Sequence, residues 1–184
     1  MGDSKSYITQ SWGATLINAI DIDDPANLRC SENGPRDWAV MGYTVTNMYS
    51  AIDGFLANHN TESSVYDYVF LINLGANDVA NLPDGATWKT RYTYIIDAVL
   101  TKYPTTKIYL TKPWRRNYGT ECDTLAGYID DLVALYPGQC YVGDDERTWL
   151  EGGDNGATMS TDGVHYSEAG YVAKRAAVRA IIGY

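Results

Sequence analysis

The chain has 184 residues, 45% hydrophobic and 20% charged, a length and balance that fit one folded domain over residues 1–184 and exclude a disordered polymer. Its net charge of −9 repels phosphate backbones, so nucleic acid is excluded as the expected partner. No apolar run approaches the ~20 residues a membrane-spanning helix needs, and Met1 runs directly into Gly2-Asp3-Ser4 without the pattern of a secretory leader; secreted and cytoplasmic locations both fit.

In chain order, a helical pattern at Gln10–Ile20 comes first, then a short apolar segment at Leu28–Ser31 or Ala39–Tyr43 that predicts a strand, then a second short helix at Thr46–Asn58. Tyr66–Leu74 is the strongest strand candidate. The clearest helix runs over Thr87–Tyr103, where Tyr92, Ile95, Ile96, Val99, Leu100 and Tyr103 form one apolar stripe and Pro104 stops it. Lys107–Thr111 predicts the next strand. A helix follows through Leu125, Ile129, Leu132, Val133 and Tyr136, ended by Pro137-Gly138. Cys140–Gly143 predicts a further strand, and an alanine-rich helix spans Ser167–Ile182, with Lys174, Arg175 and Arg179 placed to favour its dipole. Short, continuous apolar strands alternating with helices predict an α/β fold, a three-layer αβα sandwich on a mainly parallel sheet.

Three cysteines, Cys30, Cys122 and Cys140, leave one over from any pairing, and none forms a C-x-x-C zinc spacing. Buried free thiols are expected, with a Cys122–Cys140 disulfide as the alternative. Asp144-Asp145-Glu146 lacks the alternating ligands of a calcium loop and reads as a solvated acidic turn. No metal or organic cofactor is predicted.

In such sheets ligands bind outside the carboxyl ends of the strands, so the polar residues just after the strands carry the functional argument. Gly75-Ala76-Asn77-Asp78 follows the strongest strand, Gly42-Tyr43-Thr44 precedes a helix, Asp162-Gly163-Val164-His165 precedes the last helix, and Gly2-Asp3-Ser4 opens the chain. An ester carbonyl needs a nucleophile, a base near neutrality and donors for the developing oxyanion. Of the two histidines, His59 in Asn58-His59-Asn60 reads as an exposed helix end. His165 lies three residues after Asp162, a spacing that lets the carboxylate curl back to the imidazole and fix its tautomer. Asp78 is expected to tie its loop to neighbouring backbone.

These four blocks, in order, resemble those of the SGNH (GDSL-like) serine hydrolases over nearly the whole chain. The resemblance implies a flavodoxin-like sheet, Ser4 as nucleophile, Asp162 and His165 as its triad partners, and an oxyanion hole made by the Ser4 N–H, the Gly42 N–H and the Asn77 side-chain amide. The chain departs from the pattern in two places. The strand that precedes Gly-Asp-Ser in the family is represented here by Met1 alone. The glycine block also has a second candidate in Asn33-Gly34; Gly42 is preferred because a Tyr-Thr pair and a helix follow it.

The expected activity is hydrolysis of a carboxylic ester, an acetyl ester in particular, through an acyl-serine intermediate. Sixteen tyrosines and five tryptophans, with no long apolar lid segment, favour a glycan ester over a lipid as substrate. Trp114 and Arg115, just after a predicted strand, are candidate substrate contacts. The alternative is a carbohydrate-binding or structural protein that keeps the fold without turnover; the complete Ser-His-Asp-Asn set argues against it. Oligomeric state is not readable from the sequence.

Overall fold

Phe70, Leu71 and Ile72 point alternately to the two sides of a sheet, and that alternation sets the layering. The computed structural model describes Met1 and residues 42–57, 69–150, 155–160 and 162–182. Among the described residues three strands, β1 (Val69–Ile72), β2 (Lys107–Lys112) and β3 (Cys140–Asp145), form a parallel sheet in that order. Val69 lies opposite Lys107, and Ile108 opposite Cys140. Successive strand residues face opposite sides. Phe70, Ile72, Ile108, Leu110 and Cys140 face one core, while Leu71 faces a second core of Trp114, Leu150, Tyr166, Tyr171 and Val178. Two cores divided by one parallel sheet make the three-layer α/β architecture.

The first core is closed by α1 (Val45–Ala57), α2 (Gly85–Lys102) and α3 (Gly119–Leu135). Helix α1 buries Val45, Met48, Ile52 and Leu56, one stripe at spacings of three and four. Helix α2 begins two residues before the predicted start because the Asp84 carboxylate accepts the Thr87 N–H at 2.9 Å, satisfying a first-turn donor that has no partner inside the helix. It buries Tyr92, Ile95, Ile96 and Val99, as the periodicity predicts, and also Trp88 a turn earlier, and gives way before Pro104. The second core is closed by the short helices α4 (Glu146–Leu150) and α5 (Asn155–Met159) and by α6 (Glu168–Ile182).

Strand β1 ends before the predicted Leu74: after the bridge at Asn73 the chain leaves the sheet and turns at residues 76–78; the start of the prediction, residues 66–68, lies outside the described part. The predicted strand Ala39–Tyr43 does not reach its end, where Gly42 turns with φ +77° and Tyr43 is irregular; residues 39–41 lie outside the described part.

 The candidates Gln10–Ile20 and Leu28–Ser31 lie outside the described residues. Cys122 and Cys140 are both buried free thiols, so they do not form the alternative disulfide; Cys30 lies outside the described residues.

Two expectations are corrected. Asp144-Asp145-Glu146 is not a solvated acidic turn: Asp144 and Glu146 are buried. Lys174 does not sit in solvent at the end of the helix dipole but is fully buried against both carboxylates. The physical reason is that packing of α6 on β3 brings one cation to two anions that would each be too costly to bury alone. The Met1 backbone lies on the other edge of the sheet. Its amino group donates to the Leu71 carbonyl at 2.8 Å, and its carbonyl accepts the Asn73 N–H at 3.0 Å, which is parallel pairing opposite Ile72. Among the described residues no helix is long and apolar enough to cross a membrane.

Candidate active site

The site is built on the turns that follow β1 and β2 and on the segment that enters α6. After β1, Gly75 takes φ +118°, a conformation that favours glycine, and a side chain there would also meet Pro113 at 3.0 Å. The turn closes through the Asp78 N–H on the Gly75 carbonyl at 2.9 Å. The buried Asp78 carboxylate accepts the Val45 N–H at 3.2–3.3 Å and the Trp88 indole N–H at 3.1 Å. It therefore joins the turn to the start of α1 and to α2, the structural role expected of it.

Asn77 is half-buried, and its side-chain amide donates to the Tyr43 carbonyl at 3.1 Å. This bond brings together two of the sequence-predicted blocks, Asn77 and Gly42-Tyr43, across 34 positions of chain. After β2, Arg115 donates to the Ala76 carbonyl at 3.4 Å, and its guanidinium lies 5.3 Å from the centre of the Tyr118 ring, within cation–π range. Trp114 differs from its expected place. It is 4% exposed and packs in the second core against Tyr171 and Val178 of α6, while Arg115 beside it stays half-buried.

The Arg116 N–H donates to the Gly163 carbonyl at 2.9 Å, and the Arg116 guanidinium donates to the Ser160 carbonyl. Arg116 thus binds the 114–116 turn to the segment carrying Asp162 and His165. The sequence gives no local signal for this clamp, since Ser160 lies 44 positions from Arg116.

Within that segment, Asp162 Oδ1 accepts the backbone N–H groups of Val164 at 2.8 Å and His165 at 2.7 Å, and Oδ2 lies 2.7 Å from His165 Nδ1. Burial tends to raise the Asp162 carboxyl, but the bonds from the His165 ring and from the two backbone N–H groups outweigh it and hold it down at about 2. With this carboxylate ionised, the proton between the two side chains belongs to Nδ1, so the neutral ring presents its Nε2 lone pair away from Asp162. His165 remains partly open, at 37% side-chain exposure. Ser4 and the alternative glycine, Gly34, lie outside the described residues, as does His59. Among the described residues no group of three or more His, Cys, Asp or Glu side chains could hold a metal ion.

A family model for the GDSL-like lipase/acylhydrolase family matches residues 1–173. The chain belongs to that family. As a GDSL-like hydrolase it is a carboxylic ester hydrolase. Similar solved structures include that of TesA, with TM-score 0.75 and 18% identity, covering 98% of this chain and 94% of that one. An acetyl esterase holding an acetate ion superposes with TM-score 0.72 and 16% identity, covering 99% of this chain and 93% of that one. An acetyl xylan esterase from Geobacillus stearothermophilus gives TM-score 0.67 and 17% identity, covering 100% of this chain and 92% of that one. At such identities the likeness is one of fold. No curated protein sequence gives a significant match. The GDSL-like fold places the turns after β1 and β2 at the carboxyl edge of the sheet, where α/β sheets hold their ligands.

Proposed function

We propose that this hydrolase, acting as a single catalytic domain over residues 1–184, removes acetyl groups from O-acetylated carbohydrate through an acyl-serine intermediate. Ser4 is the nucleophile, His165 its base and Asp162 the carboxylate that orients the ring. The Ser4 N–H, the Gly42 N–H and the Asn77 amide stabilise the oxyanion. The observation that carries this reading is the Asp162 carboxylate, anchored by two backbone N–H groups on one oxygen and 2.7 Å from His165 Nδ1 on the other.

In the first half-reaction the Ser4 hydroxyl adds to the ester carbonyl carbon while His165 Nε2 takes its proton. The carbonyl oxygen becomes an oxyanion facing the three donors. Collapse of that intermediate breaks the bond to the sugar oxygen, which leaves with the proton from His165. In the second half-reaction water adds to the acetyl-serine, His165 again takes and returns the proton, and acetate departs. No cofactor is required by these steps.

The reading of Ser4 is supported by Met1, three residues before it, whose backbone is bonded between Leu71 and Asn73 at the strand end that leads into the turn bearing Asn77. A sugar substrate is supported by the Arg115 guanidinium over Tyr118 beside Ala76, a planar donor array suited to hydroxyl and carbonyl oxygens. The acetyl esterase and acetyl xylan esterase of the same fold add to that support.

The test combines covalent labelling with substrate choice. A serine-directed phosphonate should label Ser4 in folded protein, and Ser4→Ala should retain the fold with no turnover. Folded wild-type protein that resists labelling and turns over no ester would favour a carbohydrate binder with a hydrolase fold. Acetyl release from acetylated xylan should exceed turnover of a long-chain acyl ester; the reverse order would remove the sugar reading.

A further inference from the structure

Helix α6 closes the second core with a charged residue where an apolar one would pack. Lys174 is fully buried, and its ammonium lies 2.7 Å from Asp144 Oδ1 and 3.0 Å from Glu146 Oε1. Burial alone lowers a lysine pKa, but attraction to Asp144 and Glu146 outweighs it here and raises it, so the ammonium stays charged. Two anions and one cation held away from water are a poor source of stability, because apolar side chains of similar volume often do as well or better. The partners of Glu146 point to a different use.

Glu146 Oε1 accepts the Tyr166 hydroxyl as well as Lys174, and Oε2 accepts the Trp114 N–H at 3.1 Å. Tyr166 directly follows His165. Trp114 opens the turn whose Arg116 N–H holds the Gly163 carbonyl at 2.9 Å. One carboxylate therefore holds both of the segments whose contact fixes Asp162-Gly163-Val164-His165, reaching one through a hydroxyl and the other through a backbone N–H. Lys174 anchors that carboxylate to α6. Asp144, which also accepts the Thr111 hydroxyl at 3.0 Å, anchors Lys174 to the sheet.

We propose that Glu146, held in place by Lys174, is a positioning residue for ester hydrolysis: by binding Tyr166 and the Trp114 N–H together it sets where His165 stands relative to the turn after β2. The proposal rests on the reading of His165 as the base. A shift of about 1 Å in a reacting group can cost roughly 100-fold in rate, so losing this link should affect turnover before it affects substrate capture.

Two variants test it. Tyr166→Phe removes one hydroxyl and keeps the ring that packs 5.6 Å from Trp149 and 5.2 Å from Tyr171, centre to centre. Glu146→Gln keeps the side-chain shape and removes the charge. With p-nitrophenyl acetate as substrate, each should lower kcat about 10-fold or more per folded molecule, with KM within about twofold of wild type. The double variant should be no slower than the slower single, because both changes break one link. Wild-type kcat in folded Tyr166→Phe overturns the proposal, as does a loss confined to KM. If Glu146→Gln fails to fold, Tyr166→Phe decides alone. His165→Ala separates the two levels: if it keeps wild-type kcat, the assignment of the base fails; if it is inactive while Tyr166→Phe is fully active, only the positioning role fails.

Discussion

Gly163 sits between the two members of the Asp162–His165 pair, and Gly163→Ala perturbs their placement without touching either side chain. Its φ is +80°, and a Cβ there would lie 2.7 Å from Arg116 Cβ. Left-handed backbone costs a residue with a side chain roughly 1–2 kcal/mol. Carbon atoms pack at about 3.5–4.0 Å, so the 162–165 segment and the 114–116 turn must separate by about 1 Å. For a chain of this size the backbone cost corresponds to a fall in Tm of roughly 2–8 °C. The displacement should cost about 100-fold in kcat, far more than the loss of folded protein at 25 °C accounts for. Steady-state kinetics at 25 °C with a thermal melt on the same sample measures both. A variant that loses the predicted stability but keeps wild-type kcat would refute the claim that the contact with Arg116 places His165.

Three other outcomes are expected. Asn77→Ala should lower kcat by roughly 100- to 1000-fold with KM little changed, the range for removing one oxyanion donor; an equal rise in KM at constant kcat would place Asn77 in substrate binding instead. Lys174→Met leaves Asp144 and Glu146 buried without their cation and should cost about 3–5 kcal/mol, read from urea unfolding; an unchanged midpoint would show that the buried cluster tolerates its loss. Although burial raises it, the Asp162 carboxyl is depressed in the folded state to about 2, below the ordinary aspartate range, chiefly by its bonds to the His165 ring and two backbone N–H groups. Its contribution to stability is therefore present above about pH 4 and lost as pH falls towards 2. Because the side chain is half-exposed, that contribution is at most about 1 kcal/mol. Unfolding free energies of wild type and Asp162→Asn should converge between pH 4 and pH 2, and a constant gap across that range would contradict the assignment.

Local chemistry makes much of this protein legible in its sequence. The stripe from Tyr92 to Val99 marks a buried helix face because its spacing matches the helical turn, and the short apolar runs at Lys107–Thr111 and Cys140–Gly143 mark strands for the corresponding reason. The bond between Asp162 and His165 is equally local: three residues of chain bring carboxylate and imidazole together, and the backbone N–H groups that hold the carboxylate come from the same segment. Asp78 is legible as a structural tie, but its partners, the Val45 N–H 33 positions away and the Trp88 indole 10 positions away, are set by the packing of α1 and α2 on its turn.

Contacts between distant segments were decided by packing. An acidic run after a strand and a lysine in an alanine-rich helix each look solvated when read alone, since a single buried charge is prohibitively costly. Only the docking of α6 on β3 puts Lys174 between Asp144 and Glu146, 30 and 28 positions away, and so makes burial of all three possible. The divergence of Trp114 into the core and Arg115 towards the rim likewise depends on which side of the turn α6 occupies. Sequence determined the long helices, the strand cores and the local carboxylate–imidazole pair because their physics is complete within a few residues, whereas the short helices α4 and α5 carry no such periodic signal. The tertiary structure decided which charges are buried and which turns meet, because those energies exist only once separate elements share a core.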